Sequence, residues 1–267
     1  MIRRMTLLAY VWVGDAIMCM VDSKTTDSGP SASQESLHTI KSVTYPLDVA
    51  AQTGKSARAV LMVEGRNVFT PEVNKKPTGE PSATAIDIVA GALADLGPTY
   101  TDIGELGEAV WPALRTRMYD CSLCRTARDE QIELEEKDEL EPDAPFNERE
   151  AGDCHYIGLH IAGFDGPDKR AVRYRRRWMD EPPYELAMQE RAIYLSWYDN
   201  DYKDPPLAVG VPGEELDENS RVFEEMQSAY RTTIAVKPNL ADTVGGCIRT
   251  TVLHRSGTST KLPSWFL

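Results

Sequence analysis

Four side chains suited to holding a metal fall into two pairs, Cys121 and Cys124 in Cys-Ser-Leu-Cys, and the adjacent Cys154 and His155. Thiolate and imidazole are ligands that zinc prefers, and a Cys3His set would make a closed structural site. The second pair is awkwardly spaced, because neighbouring residues do not easily turn both ligands onto one ion. Buried or reactive thiols flanking a loop are the competing reading. Thr53-Gly54-Lys55-Ser56 has the outline of the end of a phosphate-binding loop, but the first glycine of such a loop would fall at position 49, which is Val49. Nucleotide binding is therefore not expected there. Lys169, Arg170, Arg173, Arg175, Arg176 and Arg177 place six cations in nine residues. On a returning strand their alternation predicts a solvated face or a partner contact rather than a nucleic-acid surface.

Charge narrows the partners. With 29 Lys or Arg against 42 Asp or Glu, the formal net charge is −13, a field that repels phosphates and argues against nucleic acid. Hydrophobic residues make up 42% and charged residues 27% of the 267, the balance of a globular domain with a sizeable core. Much of the negative charge is local. Residues 129–150 hold eleven acids and two bases, so 126–151 reads as a solvated, mobile insertion in a single domain spanning 1–267. That insertion is a candidate counterpart for the basic run, within the chain or on a neighbouring subunit. Five cysteines, an odd number, do not read as a disulfide framework and favour a reducing, cytoplasmic setting. Ile2-Arg3-Arg4 followed by residues 6–13 has the outline of a signal peptide, but no small-x-small site follows and Gly14-Asp15 interrupts the run. Two buried strands around a tight turn fit better. No stretch approaches the ~20 apolar residues that span a bilayer, and no membrane partner is expected.

Periodicity supplies the remaining elements. The opening hairpin ends at Asp22-Ser23-Lys24, and a Ser, Thr, Gly and Pro-rich loop covers 25–38. Residues 39–53 read as a strand pair or one long strand, while 57–63 fits strand or helix equally. Ser82 is the expected N-cap of a helix with Ile86, Val89, Ala90 and Leu93 on one face, stopped by Gly97-Pro98. Thr101 or Asp102 caps a second helix carrying Leu106, Val110 and Leu114, with Pro112 as a local irregularity. Residues 156–165 and 171–174 form a second hairpin, and 219–235 a helix carrying Val222, Phe223, Met226 and Tyr230. Gly245-Gly246 then turns into a closing strand. The segregation of strands and helices predicts an α+β fold rather than an alternating parallel sheet.

The segment Thr6-Leu7-Leu8-Ala9-Tyr10-Val11-Trp12-Val13-Gly14-Asp15-Ala16-Ile17-Met18-Cys19-Met20-Val21-Asp22-Ser23 resembles the start of a proteasome β-type subunit, within the N-terminal nucleophile (Ntn) hydrolases. In that family a threonine opens a buried strand, and an Asp-Ser or Asp-Gly pair ends the next strand sixteen residues on; here 22 − 6 = 16. Ile161-Ala162-Gly163-Phe164-Asp165-Gly166 and Thr243-Val244-Gly245-Gly246 resemble the family's central strand and late turn. The resemblance covers most of the chain in order, apart from the acidic insertion and 177–215. It implies a four-layer αββα sandwich and a threonine peptidase or amide hydrolase that works without a cofactor.

The residue types suit that chemistry. A threonine hydroxyl is a weak nucleophile until a base takes its proton, and a free α-amine on the same residue is a base within reach. By resemblance Thr6 is nucleophile and amine base, and Asp22 orients a lysine that stabilises the alkoxide. The family spacing puts that lysine at His38, whereas Lys41 is the lysine on the following strand, reached if the loop is three residues longer. Gly54 is the only glycine available as oxyanion donor, and Ser196 is a candidate for the family's supporting serine. Val244 replaces the serine that usually precedes the late glycine pair. Exposure of Thr6 would follow from a start at Met5 or from removal of a short propeptide. The resemblance further implies a homo-oligomeric ring confining a protein or peptide substrate, with room for an ATPase or unfoldase partner. Two other readings stay open at this point: a catalytically silent assembly protein of the same fold, and a zinc-stabilised binding module.

Overall fold

Residues 8–21 are apolar at nearly every position, a pattern a strand pair adopts when both of its faces are covered. The computed structural model describes residues 6–26, 35–36, 39–46, 58–65, 68–69, 72–73, 76–77, 83–100, 102–119, 157–165, 170–177, 184–197, 200–201, 214–236 and 244–266. Its principal elements are β1 (Leu8–Val13), β2 (Ala16–Val21), β3 (Ser42–Tyr45), β4 (Ala59–Gly65), α1 (Ala85–Leu96) and α2 (Ile103–Tyr119). Then follow β5 (Ile157–Asp165), β6 (Arg170–Arg177), β7 (Tyr184–Ala187), β8 (Ile193–Trp197), α3 (Arg221–Val236), β9 (Cys247–His254) and β10 (Ser259–Phe266). The fold is mixed α and β, with antiparallel sheets and three helices among the described residues.

The first sheet runs from a two-residue edge strand, Asn200–Asp201, through β8, β1, β2 and β9 to β10; the second has the order β7, β6, β5, β4, β3. Alternation along each strand splits its side chains between two environments. Leu7, Ala9, Val11, Met18 and Met20 share an apolar cluster with Val222, Phe223, Met226 and Tyr230 of α3. Leu8, Tyr10, Ile17, Cys19 and Val21, from the same two strands, pack with Val60, Met62, Ala162 and Phe164 of the second sheet. The odd-numbered Leu61, Val63, Leu159 and Ile161 join Val89 and Leu93 of α1 and Leu106, Val110 and Leu114 of α2. Within the undecided 57–63 run, residues 59–63 belong to strand β4, paired on both sides.

Boundaries follow local chemistry. Gly14 adopts φ +54° in the two-residue turn between β1 and β2, a conformation that glycine takes without strain. The cap of α1 is Thr84 rather than Ser82: Thr84 Oγ1 accepts from the Asp87 amide at 3.1 Å and Asp87 answers to the Thr84 amide, a capping box. Asp102 caps α2, accepting from the Glu105 amide at 2.8 Å. The strand after Gly246 is not the last, because β10 pairs with it in an irregular register that slips between Leu262 and Trp265, the stretch holding Pro263. β7 and β8 arise in the 177–215 region that the resemblance left uncovered.

The basic run departs from expectation. It forms β6, where Arg177 pairs with Glu64, Arg176 with Glu108 of α2, and the Arg173 guanidinium lies 4.2 Å above the Tyr194 ring. The run is thus tied into the fold rather than presented as a solvated face. The acidic insertion expected as its counterpart, 126–151, lies outside the described residues.

Gly107 shows how closely α2 approaches the sheet. A Cβ placed there would come within 2.4 Å of the Tyr174 ring. Gly→Ala inside a helix ordinarily gains up to about 1 kcal/mol, but overpacking at such a contact costs about 1–3 kcal/mol. Gly107→Ala is expected to destabilise the protein, measured as a lower urea midpoint; an unchanged or higher midpoint would show that helix and sheet are not in contact there.

Candidate active site

Three segments distant in sequence deliver polar groups to one buried point. Thr6 stands two residues before the start of β1, Asp22 follows β2, and Lys41 precedes β3 in the other sheet. Their exposures are 1%, 0% and 1%, so the contacts between them are made without solvent. Lys41 Nζ lies 3.0 Å from Thr6 Oγ1, 3.0 Å from Asp22 Oδ2 and 2.6 Å from the Lys24 carbonyl. An ammonium has three N–H donors, and here each has an acceptor. The carboxylate is equally engaged: Oδ1 accepts from the Leu7 amide and Oδ2 from the Lys24 amide, both at 3.2 Å.

Backbone contacts hold these segments in place. The Thr39 amide donates to the Ser23 carbonyl at 3.0 Å, and the Val63 amide to the Lys41 carbonyl at 3.0 Å. Ser23 Oγ accepts from the Cys247 amide at 2.9 Å, and the Lys24 amide also reaches the Gly245 carbonyl at 3.1 Å. The late glycine pair therefore borders the site, with Gly246 at φ +74°. Val244 is buried beside it.

Burial dominates the titration of the pair. It pushes the Lys41 ammonium below the ordinary lysine range, the Asp22 charge and hydrogen bond opposing. It pushes the Asp22 carboxyl up, against Lys41 and the backbone amides of Leu7 and Gly245. Both directions have one origin: taking a charge from water costs more than a single partner returns. Chemically, a hydroxyl oxygen faces a desolvated ammonium whose proton is held less tightly than usual. Such a donor can stabilise an alkoxide.

The structure thus brings Thr6, Asp22 and Lys41 together. His38, Gly54, Cys121, Cys124, Cys154 and His155 all lie outside the described residues, as does Met5. Among the described residues no group of three or more His, Cys, Asp or Glu side chains is placed to hold a metal. Cys19 and Cys247 are buried free thiols. No described helix is long and apolar enough to cross a membrane.

Ser196 belongs to a second buried cluster, between the sheets. It stands opposite Leu8 on the neighbouring strand and accepts from Arg177 Nη2 at 3.2 Å. Its hydroxyl also meets Glu64 Oε2 at 3.5 Å, while Glu64 Oε1 pairs with Arg177 Nε at 2.7 Å and faces His160 Nε2 at 3.0 Å. Burial, aided by Arg177 and Arg175 and opposed by Glu64, lowers the His160 pKa. Gly158 lies between Glu64 and Arg177 in register, and a Cβ on it would come within 2.6 Å of Glu64 Oε1. The salt bridge passes over the middle strand because that strand has no side chain there.

Sequence reasoning missed the Lys24 carbonyl, the Leu7 amide and the Glu64 cluster. Backbone acceptors carry no residue-type signal. Its traces in the sequence were an acid ending an otherwise apolar run, Val60-Leu61-Met62-Val63-Glu64, and Ser196 and Arg177, singled out for other roles. No protein-family model matches the chain and no curated protein matches its sequence, so the site is read from its own geometry.

Pairing in a desolvated site makes a stability prediction independent of any activity. Lys41→Met strands the Asp22 charge and is expected to cost about 3 kcal/mol or more, while the double variant Lys41→Met/Asp22→Asn recovers part of that loss. Urea denaturation of the two singles and the double measures the coupling, and strictly additive effects would rule the pair out.

Proposed function

We propose that the chain is a proteasome-like threonine amide hydrolase, built as a four-layer αββα sandwich of the N-terminal nucleophile type. The observation that carries this reading is the buried Lys41 ammonium at 3.0 Å from both Thr6 Oγ1 and Asp22 Oδ2. The partition of the core into one cluster with α3, one between the sheets and one with α1 and α2 supports the layer order.

The chemistry is acyl transfer. Once residues 1–5 are removed, the Thr6 α-amine takes the hydroxyl proton as the oxygen attacks a substrate carbonyl. Lys41 stabilises the developing alkoxide through its existing hydrogen bond, and Asp22 holds the ammonium in place. The tetrahedral intermediate expels the substrate amine, which leaves with the proton held by the α-ammonium, and an ester on Thr6 Oγ1 remains. Water then attacks the ester, the α-amine again serving as base, and the hydroxyl is restored with release of a carboxylic acid. The resemblance assigns the oxyanion donor to the Gly54 amide, and a homo-oligomeric ring with a protein or peptide substrate and an ATPase or unfoldase partner belongs to the same reading.

Two measurements test it. Intact mass of the purified protein is expected to show Thr6 as the first residue, and a chain begun at Thr6 is expected to hydrolyse peptide amides with Thr6→Ala inactive. Retention of Met1, together with no turnover from the chain begun at Thr6, would identify a silent assembly protein instead. The pH profile has a defined sign. The α-amine must be neutral, so activity rises as it deprotonates, at or below its ordinary pKa of about 7.7–8.0 because Lys41 is cationic nearby. Lys41 must stay charged, and its lowered pKa brings the alkaline fall earlier than the ordinary lysine value of about 10.4. Initial rates across pH give both limbs; an alkaline limb at or above the ordinary lysine value would separate Lys41 from the chemistry.

A further inference from the structure

The ladder joining β1 to β2 ends one step short of the site. Its last pair sets Leu8 opposite Val21, and the next would set Leu7 against Asp22. Side chains take over at that step. The Leu7 amide donates to Asp22 Oδ1 at 3.2 Å, and the Leu7 carbonyl accepts from the Tyr230 hydroxyl at 2.5 Å. Leu7 thus carries both contacts: its amide holds the carboxylate and its carbonyl is held by the phenol. The phenol donates here, so the Leu7 carbonyl, buried at the end of the ladder, is satisfied by a side chain of α3.

Strand parity shows why this matters. Met18 and Met20 face α3, whereas Ile17, Cys19 and Val21 face the second sheet. Continued without change, that alternation turns Asp22 toward α3. Lys41 comes from the second sheet. The Asp22 carboxylate nevertheless reaches Lys41 Nζ at 3.0 Å, at the ladder end where the Leu7 amide takes its other oxygen. Tyr230 is fully buried on α3, with its ring edge-on to Trp265 at 5.8 Å between centroids. Burial, then the nearby Asp22 charge, hold its pKa well above that of an ordinary tyrosine, so the hydroxyl remains a donor.

We infer that Tyr230 is a positioning residue of the Thr6 site: its hydroxyl fixes the Leu7 main chain, whose amide holds the Asp22 carboxylate beside Lys41. The catalytic consequence rests on the hydrolase reading; the positioning itself does not. Without the hydroxyl the Leu7 carbonyl loses its buried donor, the Leu7 main chain shifts, and the carboxylate loses the amide contact that aims it.

Tyr230→Phe keeps the ring and removes only the hydroxyl that donates to Leu7. Side-chain NMR titration of Lys41 is expected to show its midpoint lower by about one pH unit, because an opposite charge has moved away. In the chain begun at Thr6, kcat is expected to fall roughly tenfold or more with KM little changed, the signature of an interaction used in the transition state. Trp265→Leu, which loosens the ring but keeps the hydroxyl, is expected to lower thermal stability without moving the Lys41 midpoint. An unchanged Lys41 midpoint in Tyr230→Phe, or an equal shift in Trp265→Leu, overturns the inference. In the unaltered protein a Tyr230 hydroxyl proton slow to exchange with water is expected, and a fast-exchanging one overturns the inference without any substitution. If the chain begun at Thr6 has no turnover, the hydrolase reading falls, while the Lys41 titration still decides the role of Tyr230.

Discussion

One ammonium removed from water governs the arrangement of both sheets at this end of the molecule. A lysine is rarely fully buried, and it is tolerated when its charge is opposed and each N–H finds an oxygen. Lys41 meets that requirement with a hydroxyl, a carboxylate and a main-chain carbonyl, contributed from before β1 and after β2. The lysine itself comes from the opposite sheet. The two sheets must therefore close at a fixed separation there, because a displacement of an ångström or two would leave a desolvated charge unmatched.

The core layers were legible before the structure because period-2 apolar strands and 3.6-period helices leave strong marks. Val222, Phe223, Met226 and Tyr230 announce the buried stripe of α3, and Leu106, Val110 and Leu114 that of α2. β10 escaped notice for the opposite reason: an edge strand with mostly exposed side chains, Ser259 to Phe266, has no apolar alternation to read. β7 and β8 are short and lie among prolines and charges, where pattern is weak. For the site, threonine and aspartate were assigned by the family resemblance, in which the two stand sixteen residues apart. Lys41 was found only with an allowance for loop length, since spacing across a loop is not fixed by strand geometry. Tyr230 was read as core, which it is; its hydroxyl function depends on a meeting with Leu7 across 223 residues, beyond the reach of local pattern.

The second polar cluster has a different character. Glu64, Arg177, His160 and Ser196 lie among apolar neighbours of the two sheets, and the salt bridge requires an empty place on the strand between its partners, which Gly158 supplies. Ion pairs of this kind contribute little net stability compared with apolar packing, but they disfavour alternative alignments. A slip of β5 by one residue would bring a side chain under the bridge and push the acid and the guanidinium apart. The run of six bases that first suggested an outward-facing surface is, in this light, partly a device for fixing register.

β10 also limits how copies of this protein can join. Its pairing slips around Pro263, which has no N–H to offer, and Lys261 lies on the same strand. The far margin of that sheet is a two-residue strand, Asn200–Asp201. Blunt margins of both kinds resist the addition of a strand from another molecule. Among the described residues, neither margin of this sheet is therefore a ready template for a strand from another molecule, and its pairing ends within the chain.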